Sequence, residues 1–353
     1  MRVVVTGGAG FVGSNVCAGL AERHPEWELV AFDNLHRRGS ELNLPRLEEA
    51  GVEFVRGDVR DRDQVLGLGD CDAIIECSAE PSVLAGVDGD PDYVVQTNLV
   101  GAYHCLELAR ASSAQLVFLS TSRVYPTASL AAASVTEGET RFELTREQPL
   151  HGLSDRGVSE ELGLEGPRSL YGATKLSAEL LIAEYADTYG LQTVVDRCGV
   201  IAGPWQMGRD DQGVFAYWLL AHVLDRPLRY IGHGGEGKQV RDLVHVADLV
   251  ELIDEQLREP ERWAGATVNV GGGRSVSLSL REATDLCREL SGRQVPVASD
   301  PEPRPNDPAV YISDCARLFG LTEWRPRRDA RETLTDTLDW IVANERDLRR
   351  VLE

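Results

Sequence analysis

The stretch Thr6-Gly7-Gly8-Ala9-Gly10-Phe11-Val12-Gly13-Ser14 follows a short apolar run and opens a helical pattern. Its glycines permit a tight turn, and they let backbone N–H groups approach a pyrophosphate at the positive end of a helix. Asp33 ends the second apolar run, 20 residues after the last glycine of the stretch, where a carboxylate accepts hydrogen bonds from a ribose. The pattern therefore predicts a dinucleotide-binding βαβ unit. The acid favours NAD over NADP, although Arg37 and Arg38 would suit a 2′-phosphate.

Short β-branched runs alternate with helical patterns along the chain. Strand patterns lie at residues 2–6, 28–33, 53–56, 73–76, 115–120, 193–197 and 267–270, and helical patterns at 170–189 and 246–257. The early strand runs are almost continuously apolar, as expected of parallel strands that helices cover on both faces. Right-handed crossovers then give a doubly wound arrangement. The predicted fold class is α/β, a doubly wound parallel sheet (Rossmann fold) with a smaller C-terminal substrate-binding lobe.

The domain prediction follows from these patterns. Residues 1–198 form the predicted NAD-binding Rossmann domain, and residues 199–353 form mainly the substrate-binding lobe, with segments around 241–270 returning to the first domain. Within the first domain, residues 126–168 are polar, without clear periodicity and far longer than a usual connection. We interpret them as a lid-like insertion. One amphipathic helix is predicted over residues 330–352.

Composition and charge exclude several classes of protein. Of the 353 residues, 42% are apolar and 26% charged, as in ordinary globular proteins. A formal charge of −21 disfavours nucleic acid and anionic membrane surfaces as partners. Seven scattered cysteines without a C-x-x-C pair argue against a disulfide framework and a zinc site, so no metal is expected. Because neither a signal-peptide pattern nor a run of 18 apolar residues is present, we expect a cytoplasmic enzyme.

The catalytic candidates lie at two separate places in the chain. Tyr171 and Lys175 have the i, i+4 spacing that places two side chains on one face of a helix, and Lys175 is one of only two lysines beside 34 arginines. Thr121 follows the fifth strand, whose carboxyl end would face the ligand crevice. A phenol has a reference pKa of ~10. A nearby ammonium and a cationic nicotinamide lower that pKa, which makes Tyr171 a candidate base and Thr121 a hydrogen-bonding partner of the reacting oxygen.

Together these motifs resemble the extended short-chain dehydrogenase/reductase superfamily, in particular its NAD-dependent nucleotide-sugar epimerases and dehydratases. Segments at residues 197–206, 211–213 and 237–242 are most similar to the CDP-paratose (CDP-tyvelose) 2-epimerase branch. The resemblance implies that retained NAD takes a hydride from C2 of a nucleotide-linked hexose and returns it to the other face of a transient keto sugar. It also implies a catalytic set of Thr121, Tyr171 and Lys175.

The resemblance further implies which residues bind NAD. They belong to the glycine stretch, to the segments after the second, third and fourth strands, and to two helices: Gly7, Gly10, Phe11, Val12, Asp33, Asn34, Asp58, Val59, Ala79, Asn98, Tyr171 and Lys175. Asp58, expected near the adenine, has the alternative interpretation of a turn or a helix cap.

Substrate contacts are also implied by the resemblance, at Glu80, Ser122, Arg123, Gln206, Gln212, Arg241 and Arg304. The guanidinium groups of Arg241 and Arg304 would suit the pyrophosphate of the substrate. Related dehydratases place Asp-Glu after the catalytic Thr, where this chain has Ser122 and Arg123, so elimination of water is disfavoured. Glu80 stands where related epimerases carry Gln, and it could tune proton transfer or cap the next helix.

The resemblance also indicates the partners of this protein. Members of this superfamily commonly dimerise through two helices, here those near residues 92–111 and 170–189, so a homodimer is expected. The substrate partner is a nucleotide-diphosphate sugar, and neither nucleic acid nor a membrane is expected as a partner.

A UDP-sugar 4-epimerase shares every motif except the segments after residue 199. A non-catalytic NAD-binding module is the alternative from a different functional class.

Overall fold

The computed structural model describes residues 1–87, 90–208, 212–302 and 306–352. Its strands are β1 Arg2–Thr6, β2 Glu28–Asp33, β3 Glu53–Arg56, β4 Ala73–Glu76, β5 Gln115–Thr121, β6 Val135–Glu137, β7 Phe142–Leu144, β8 Leu153–Ser154, β9 Gly157–Val158, β10 Thr193–Cys198, β11 Val200–Ala202, β12 Leu228–Ile231, β13 Val240–His245, β14 Ala266–Val270, β15 Ser277–Ser279, β16 Val297–Asp300 and β17 Val310–Tyr311.

Its α-helices are α1 Phe11–Arg23, α2 Leu44–Glu49, α3 Arg62–Leu66, α4 Pro91–Val95, α5 Gly101–Ser112, α6 Thr127–Ala131, α7 Leu170–Tyr189, α8 Val214–Val223, α9 Val246–Arg258, α10 Pro260–Trp263, α11 Leu280–Ser291, α12 Ala316–Leu321, α13 Ala330–Ala343 and α14 Glu345–Leu352. A π-helical turn, Gln96–Val100, joins α4 to α5. Within the described residues, no helix is both long and apolar enough to cross a membrane.

The predicted doubly wound sheet is confirmed. Seven strands lie in the order β14-β10-β5-β4-β1-β2-β3, and the pairs along β3, β2, β1, β4 and β5 are parallel. The order runs outward in both directions from β1, so the glycine stretch lies at the reversal of strand order, where such sheets bind their ligands. In the register of the sheet, Thr6 pairs with Glu76, and Glu76 pairs with Phe118. These three side chains therefore lie on the same face of the sheet.

The chain divides into two compact units. The first consists of Met1–Val124, Leu170–Arg197 and Leu249–Val268. Its main apolar core lies between the sheet and the helices α3, α5 and α7, and it includes the fully buried side chains of Ile74 and Phe118. The burial explains why the central strands are apolar along their whole length rather than alternating.

The second unit consists of Tyr125–Ser169, Cys198–Asp248 and the residues from Asn269 onward. Its largest sheet is built on β13, which pairs in parallel with β11 and β17 and in antiparallel with β15. Strands β12 and β16 form a separate parallel pair.

The 126–168 segment belongs to the second unit and contains α6 and two short hairpins, β6–β7 and β8–β9. Backbone hydrogen bonds attach both hairpins to this unit. The Phe142 N–H donates to the Lys238 carbonyl at 3.0 Å, and the Val158 N–H donates to the Ile312 carbonyl at 2.8 Å. A role for this segment as a lid stays a prediction.

The prediction of one helix over residues 330–352 was wrong. The structure has two helices, α13 and α14, separated at Asn344. The backbone N–H of Asn344 and its side-chain amide both donate to the Trp340 carbonyl, at 3.0 and 2.8 Å. An asparagine side chain that bonds to the backbone in this way competes with helix continuation, which explains the break within an otherwise periodic stretch.

Candidate active site

The glycine stretch forms a closed turn at the start of α1. Gly7 has a positive φ of 65°, and the Gly10 N–H donates to the Gly7 carbonyl at 2.9 Å. A Cβ on Gly13 would lie 2.2 Å from that carbonyl oxygen, so the turn can close only on glycine. Gly10 occupies the N-cap of α1 and brings no side chain there. The first N–H groups of α1, at Phe11 and Val12, are thus placed as a pyrophosphate requires, and the loop fits a dinucleotide.

Asp33 lies beside this turn at the carboxyl end of β2. Its carboxylate accepts hydrogen bonds from the backbone N–H groups of Ala9, at 3.1 Å, and Leu35, at 2.7 Å. Burial raises the pKa of Asp33, and these backbone donors oppose the rise. Asn43 holds the other side of the turn by donating to the Ala9 carbonyl at 2.8 Å. The predicted ribose acceptor is therefore fixed relative to the predicted pyrophosphate loop.

The loops after β2 and β3 carry three more predicted NAD-binding residues, Asn34 after β2, and Asp58 and Val59 after β3. Asn34 donates to the Asp58 carboxylate at 2.9 Å. Arg60 binds both oxygens of that carboxylate and holds its pKa well below the usual range. Asp58 is not the cap of α3, because Asp61 accepts the first N–H groups of that helix. Asp58 instead orders the turn beside Val59.

Asn98 connects the segment after β4 to helix α7. Its side-chain oxygen accepts from the Glu80 N–H at 2.8 Å, and its amide donates to the Glu80 carbonyl at 3.1 Å and to the Thr174 hydroxyl at 3.2 Å. This arrangement fixes the backbone next to Ala79. The Glu80 carboxylate accepts from the Ser82 N–H at 3.2 Å. It therefore caps a local turn, and the next helix, α4, is capped by Asp90 instead.

The catalytic candidates lie at the carboxyl end of β5 and at the start of α7. Thr121 is the last residue of β5, and Tyr171 and Lys175 are one helical turn apart on α7. Helix α7 packs against the turn Ser122–Val124 that follows Thr121. Thr121 is 7% exposed, Tyr171 is half-buried and Lys175 is 1% exposed. The hydroxyl of Thr121 accepts a hydrogen bond from the backbone N–H of Arg123 at 3.2 Å.

One charged residue at this site was missed by the sequence analysis. Glu76, the last residue of β4, places its carboxylate 3.1 Å from the Lys175 ammonium, and both side chains are almost fully buried. The ammonium also lies 4.0 Å from the centre of the Phe118 ring. Burial raises the pKa of Glu76, and Lys175 opposes that rise. The sequence feature that could have indicated this residue is an acid placed directly after the apolar run Ala73–Ile75.

A second buried ion pair lies one helical turn further along α7. Glu179 accepts from the Ser120 hydroxyl, and Arg197 donates to both of its carboxylate oxygens, the shortest distance being 2.7 Å. All three residues are less than 9% exposed. The pair joins α7 to β5 and β10 directly behind Thr121.

The predicted substrate residues of the second unit come from different segments, Gln206 from the segment after β11 and Arg241 from β13. Gln206 donates to the Ile201 carbonyl at 3.0 Å, and its amide lies against Gly213. Gln212 lies just before Gly213. Arg241 is 8% exposed and binds the Asp307 carboxylate and the Pro308 carbonyl. Two predicted positions, Arg304 and Asp211 of the 211–213 segment, lie outside the described residues.

Comparisons with known proteins show which family and fold this chain is similar to. Residues 3–271 match the model of the NAD dependent epimerase/dehydratase family. CDP-paratose 2-epimerase of Salmonella typhi is 29% identical over 351 residues, covering 96% of this chain and 99% of that protein. dTDP-glucose 4,6-dehydratase of Streptomyces antibioticus is 31% identical, covering 98% of this chain and 93% of that protein. UDP-glucose 4-epimerase of Thermus thermophilus, solved with NAD, has a TM-score of 0.77 at 29% identity, covering 97% and 99% of the two chains.

Proposed function

The chain belongs to the NAD dependent epimerase/dehydratase family, and from this premise we propose that it epimerises a nucleotide-diphosphate hexose. The specific reaction proposed is inversion at C2 of a CDP-linked hexose through a transient keto sugar. The relative named CDP-paratose 2-epimerase, which matches almost the whole chain, supports this choice of substrate.

The observation that carries the choice of epimerisation over dehydration is the sequence at the carboxyl end of β5. Thr121 is followed by Ser122 and Arg123. Dehydration removes a proton from carbon and a hydroxyl from its neighbour, which requires a general acid and a general base beyond the tyrosine. Neither Ser122 nor Arg123 supplies a carboxyl group. The threonine, tyrosine and lysine set alone is sufficient for reversible oxidation of one hydroxyl.

Each member of the set has one task in the proposed reaction. NAD, when bound, supplies the acceptor and donor of the hydride. Tyr171 takes the proton of the C2 hydroxyl and returns it after the sugar has turned in its pocket. Lys175 holds the nicotinamide ribose and stabilises the phenolate by its charge. Thr121 donates a hydrogen bond to the reacting oxygen. The hydride and the proton both return to the sugar, so no external reductant is consumed.

Ligand binding is proposed for two groups of residues. Gly7, Gly10, Phe11, Val12, Asp33, Asn34, Asp58, Val59, Ala79 and Asn98 bind NAD with Tyr171 and Lys175. In the second unit, Arg241 binds the substrate pyrophosphate with Arg304, exchanging its bond to Asp307 for one to phosphate. Glu80, Ser122, Arg123, Gln206 and Gln212 contact the sugar or the base.

We propose that the protein is a homodimer that packs through α5 and α7. These helices pack on each other in the first unit. Their outer surface carries large apolar side chains that a monomer would leave in water, with Leu180 63% exposed, Tyr189 55% and Tyr103 37%. A second copy of the same surface would bury them.

The proposed reaction is tested with purified protein and CDP-, GDP- and UDP-hexoses in deuterated water, followed by NMR. Inversion at C2 of a CDP-hexose, without net formation of NADH, is the expected result. Inversion at C4 of a UDP-hexose would replace the proposal with the 4-epimerase alternative. Loss of water from dTDP-glucose would show that Ser122 and Arg123 do not prevent dehydration. A protein that retains NAD and changes no sugar would be the non-catalytic alternative.

A further inference from the structure

Glu76 and Lys175 form an ion pair that no part of the proposed reaction explains. Their charged atoms are 3.1 Å apart, and the exposed fractions of the two side chains are 1% and 2%. Glu76 comes from the central strand β4, and Lys175 from α7, 99 residues later in the chain. The pairing is therefore created by the tertiary fold and is absent from the local sequence pattern.

The surroundings of this pair give Lys175 little other compensation for its charge. On the sheet, Glu76 lies between Thr6 and Phe118, neither of which ionises. Phe118 offers the ammonium its ring face at 4.0 Å, which is a weak attraction compared with a carboxylate. From α5, the titratable group that faces the pair is the Cys105 thiol, whose pKa burial raises to well above its usual range. On α7 itself, Tyr171 lies one turn before Lys175, and Glu179 lies one turn after it, where Arg197 already pairs with its carboxylate.

The electrostatic consequence concerns the tyrosine. An amine removed from water and left without a counter-charge tends to lose its proton. A neutral amine would give no charge stabilisation to a phenolate one helical turn away. A carboxylate at 3.1 Å provides the counter-charge and also fixes the amine in position.

We propose that Glu76 is a positioning residue for the reaction: its buried carboxylate holds the Lys175 ammonium in place and in its charged form, and thereby sets the pH at which Tyr171 ionises. The inference rests on the proposed roles of Tyr171 and Lys175. It does not depend on which sugar is the substrate.

The test measures ionisation of Tyr171 directly. The NAD-loaded protein is titrated by its tyrosinate absorbance near 295 nm, and the titration of Tyr171→Phe is subtracted. We expect one tyrosinate in the difference curve, and we expect its midpoint to move up by at least one pH unit in Glu76→Gln. Glu76→Asp keeps the charge, so its midpoint should lie nearer to the wild type than to Glu76→Gln.

A matched control separates this role from general loss of a buried carboxylate. Glu179→Gln removes another buried carboxylate, one that lies on α7 and is paired with a cation, Arg197. It should lower thermal stability and leave the Tyr171 midpoint unchanged. An unchanged or lowered midpoint in Glu76→Gln would overturn the proposal, because it would mean that Glu76 does not keep Lys175 charged. An equal shift in the control would overturn it as well.

A second measurement covers failure of Glu76→Gln to fold. Adding Lys175→Met removes both charges, and the double variant should then unfold at a higher temperature than Glu76→Gln alone. A double variant that is no more stable than Glu76→Gln would mean that the uncompensated charge of Lys175 is not what destabilises the single variant. This result would overturn the proposal. Absence of any Tyr171 signal in the difference titration would overturn the inference too. Inactivity on every sugar nucleotide would contradict the proposed function while leaving the titration result intact.

Discussion

At the scale of single residues, the candidate site depends on charges that have been removed from water. Lys175 and Glu179 lie one turn apart on α7, and each meets an opposite charge from the sheet, Glu76 or Arg197. Removing one partner of a buried pair leaves the other uncompensated, which costs about 3–5 kcal/mol. Because the desolvation of both charges offsets their attraction, an intact pair contributes little net stability, but it fixes where the surrounding side chains can lie.

Tyr171→Phe removes the proposed base and keeps the ring. Because general base catalysis contributes about 10²–10⁴-fold, we expect kcat for epimerisation to fall by at least two orders of magnitude. The NAD content of the purified protein should be unchanged, since the other eleven proposed NAD-binding residues are kept. NMR assays and the absorbance of released NAD measure the two quantities. Full activity in this variant would contradict the assigned base.

Gly13→Ala tests the dinucleotide turn. The added Cβ would lie 2.2 Å from the Gly7 carbonyl oxygen and 2.8 Å from the Gly8 Cα, and both atoms are backbone. We expect stability to fall by roughly 1–3 kcal/mol and bound NAD to be lost. Gly320→Ala is the matched control, because a Cβ at that position in α12 meets no atom within 4 Å. If Gly13→Ala retained NAD as well as the control does, the turn would not be the pyrophosphate site.

At the scale of secondary structure elements, β10 and α9 are joined by a buried polar contact in the first unit. Gln256 of α9 donates to Asp196 of β10 at 2.9 Å and accepts nothing at its own oxygen among the described residues. Its backbone carbonyl accepts from Gln115 of β5 at 2.9 Å. Burial raises the pKa of Asp196 to about 7, and the bond from Gln256 only partly opposes the rise.

The raised pKa predicts a pH-dependent stability. The folded protein keeps the Asp196 proton up to about pH 7, whereas the unfolded chain releases it near its ordinary value of 3.8. The free energy of unfolding contributed by this group therefore decreases as the pH rises between these values. Asp196→Asn removes the ionisation, so its melting temperature should exceed that of the wild type by several degrees at pH 8, and by less than half as much at pH 5.

The matched control for this prediction is Asp187→Asn, which changes an exposed carboxylate on α7. Its effect on the melting temperature should be small at both pH values. If Asp196→Asn changed stability equally at pH 5 and pH 8, the carboxyl would not titrate in this range in the folded protein.

At the scale of the whole molecule, the proposed homodimer predicts the effect of a single charge. Leu180→Arg places a cation on the exposed surface of α7, where a second copy would desolvate it. We expect this variant to elute as a monomer of 38.7 kDa, and the wild type at about twice that mass. Light scattering after size exclusion measures both. Val342→Arg, at an apolar position of α13 that is 56% exposed, should remain dimeric, and a wild-type monomer would contradict the proposal.

Much of the first unit could be predicted because its signals are local. The glycine stretch, the apolar runs and the spacing of Tyr171 and Lys175 depend on residues within one turn or one strand. The observed β1 to β4 match the predicted runs residue for residue, and β5, β10, α9 and β14 differ by one residue at an end. The second unit was less predictable, because its short strands pair across long separations, as β13 does with β17.

Short segments of the sequence are enough to predict the fold class, the glycine turn and the residue types of the proposed catalytic set, because glycine conformation and hydrophobic periodicity are properties of such segments. Three contacts depend on the folded chain instead: Glu76 faces Lys175, Asn98 joins the segment after β4 to α7, and Asp196 is buried against Gln256. Each of these contacts joins residues that are 60 to 99 positions apart. Their meeting follows from strand order and helix packing, which no local pattern encodes.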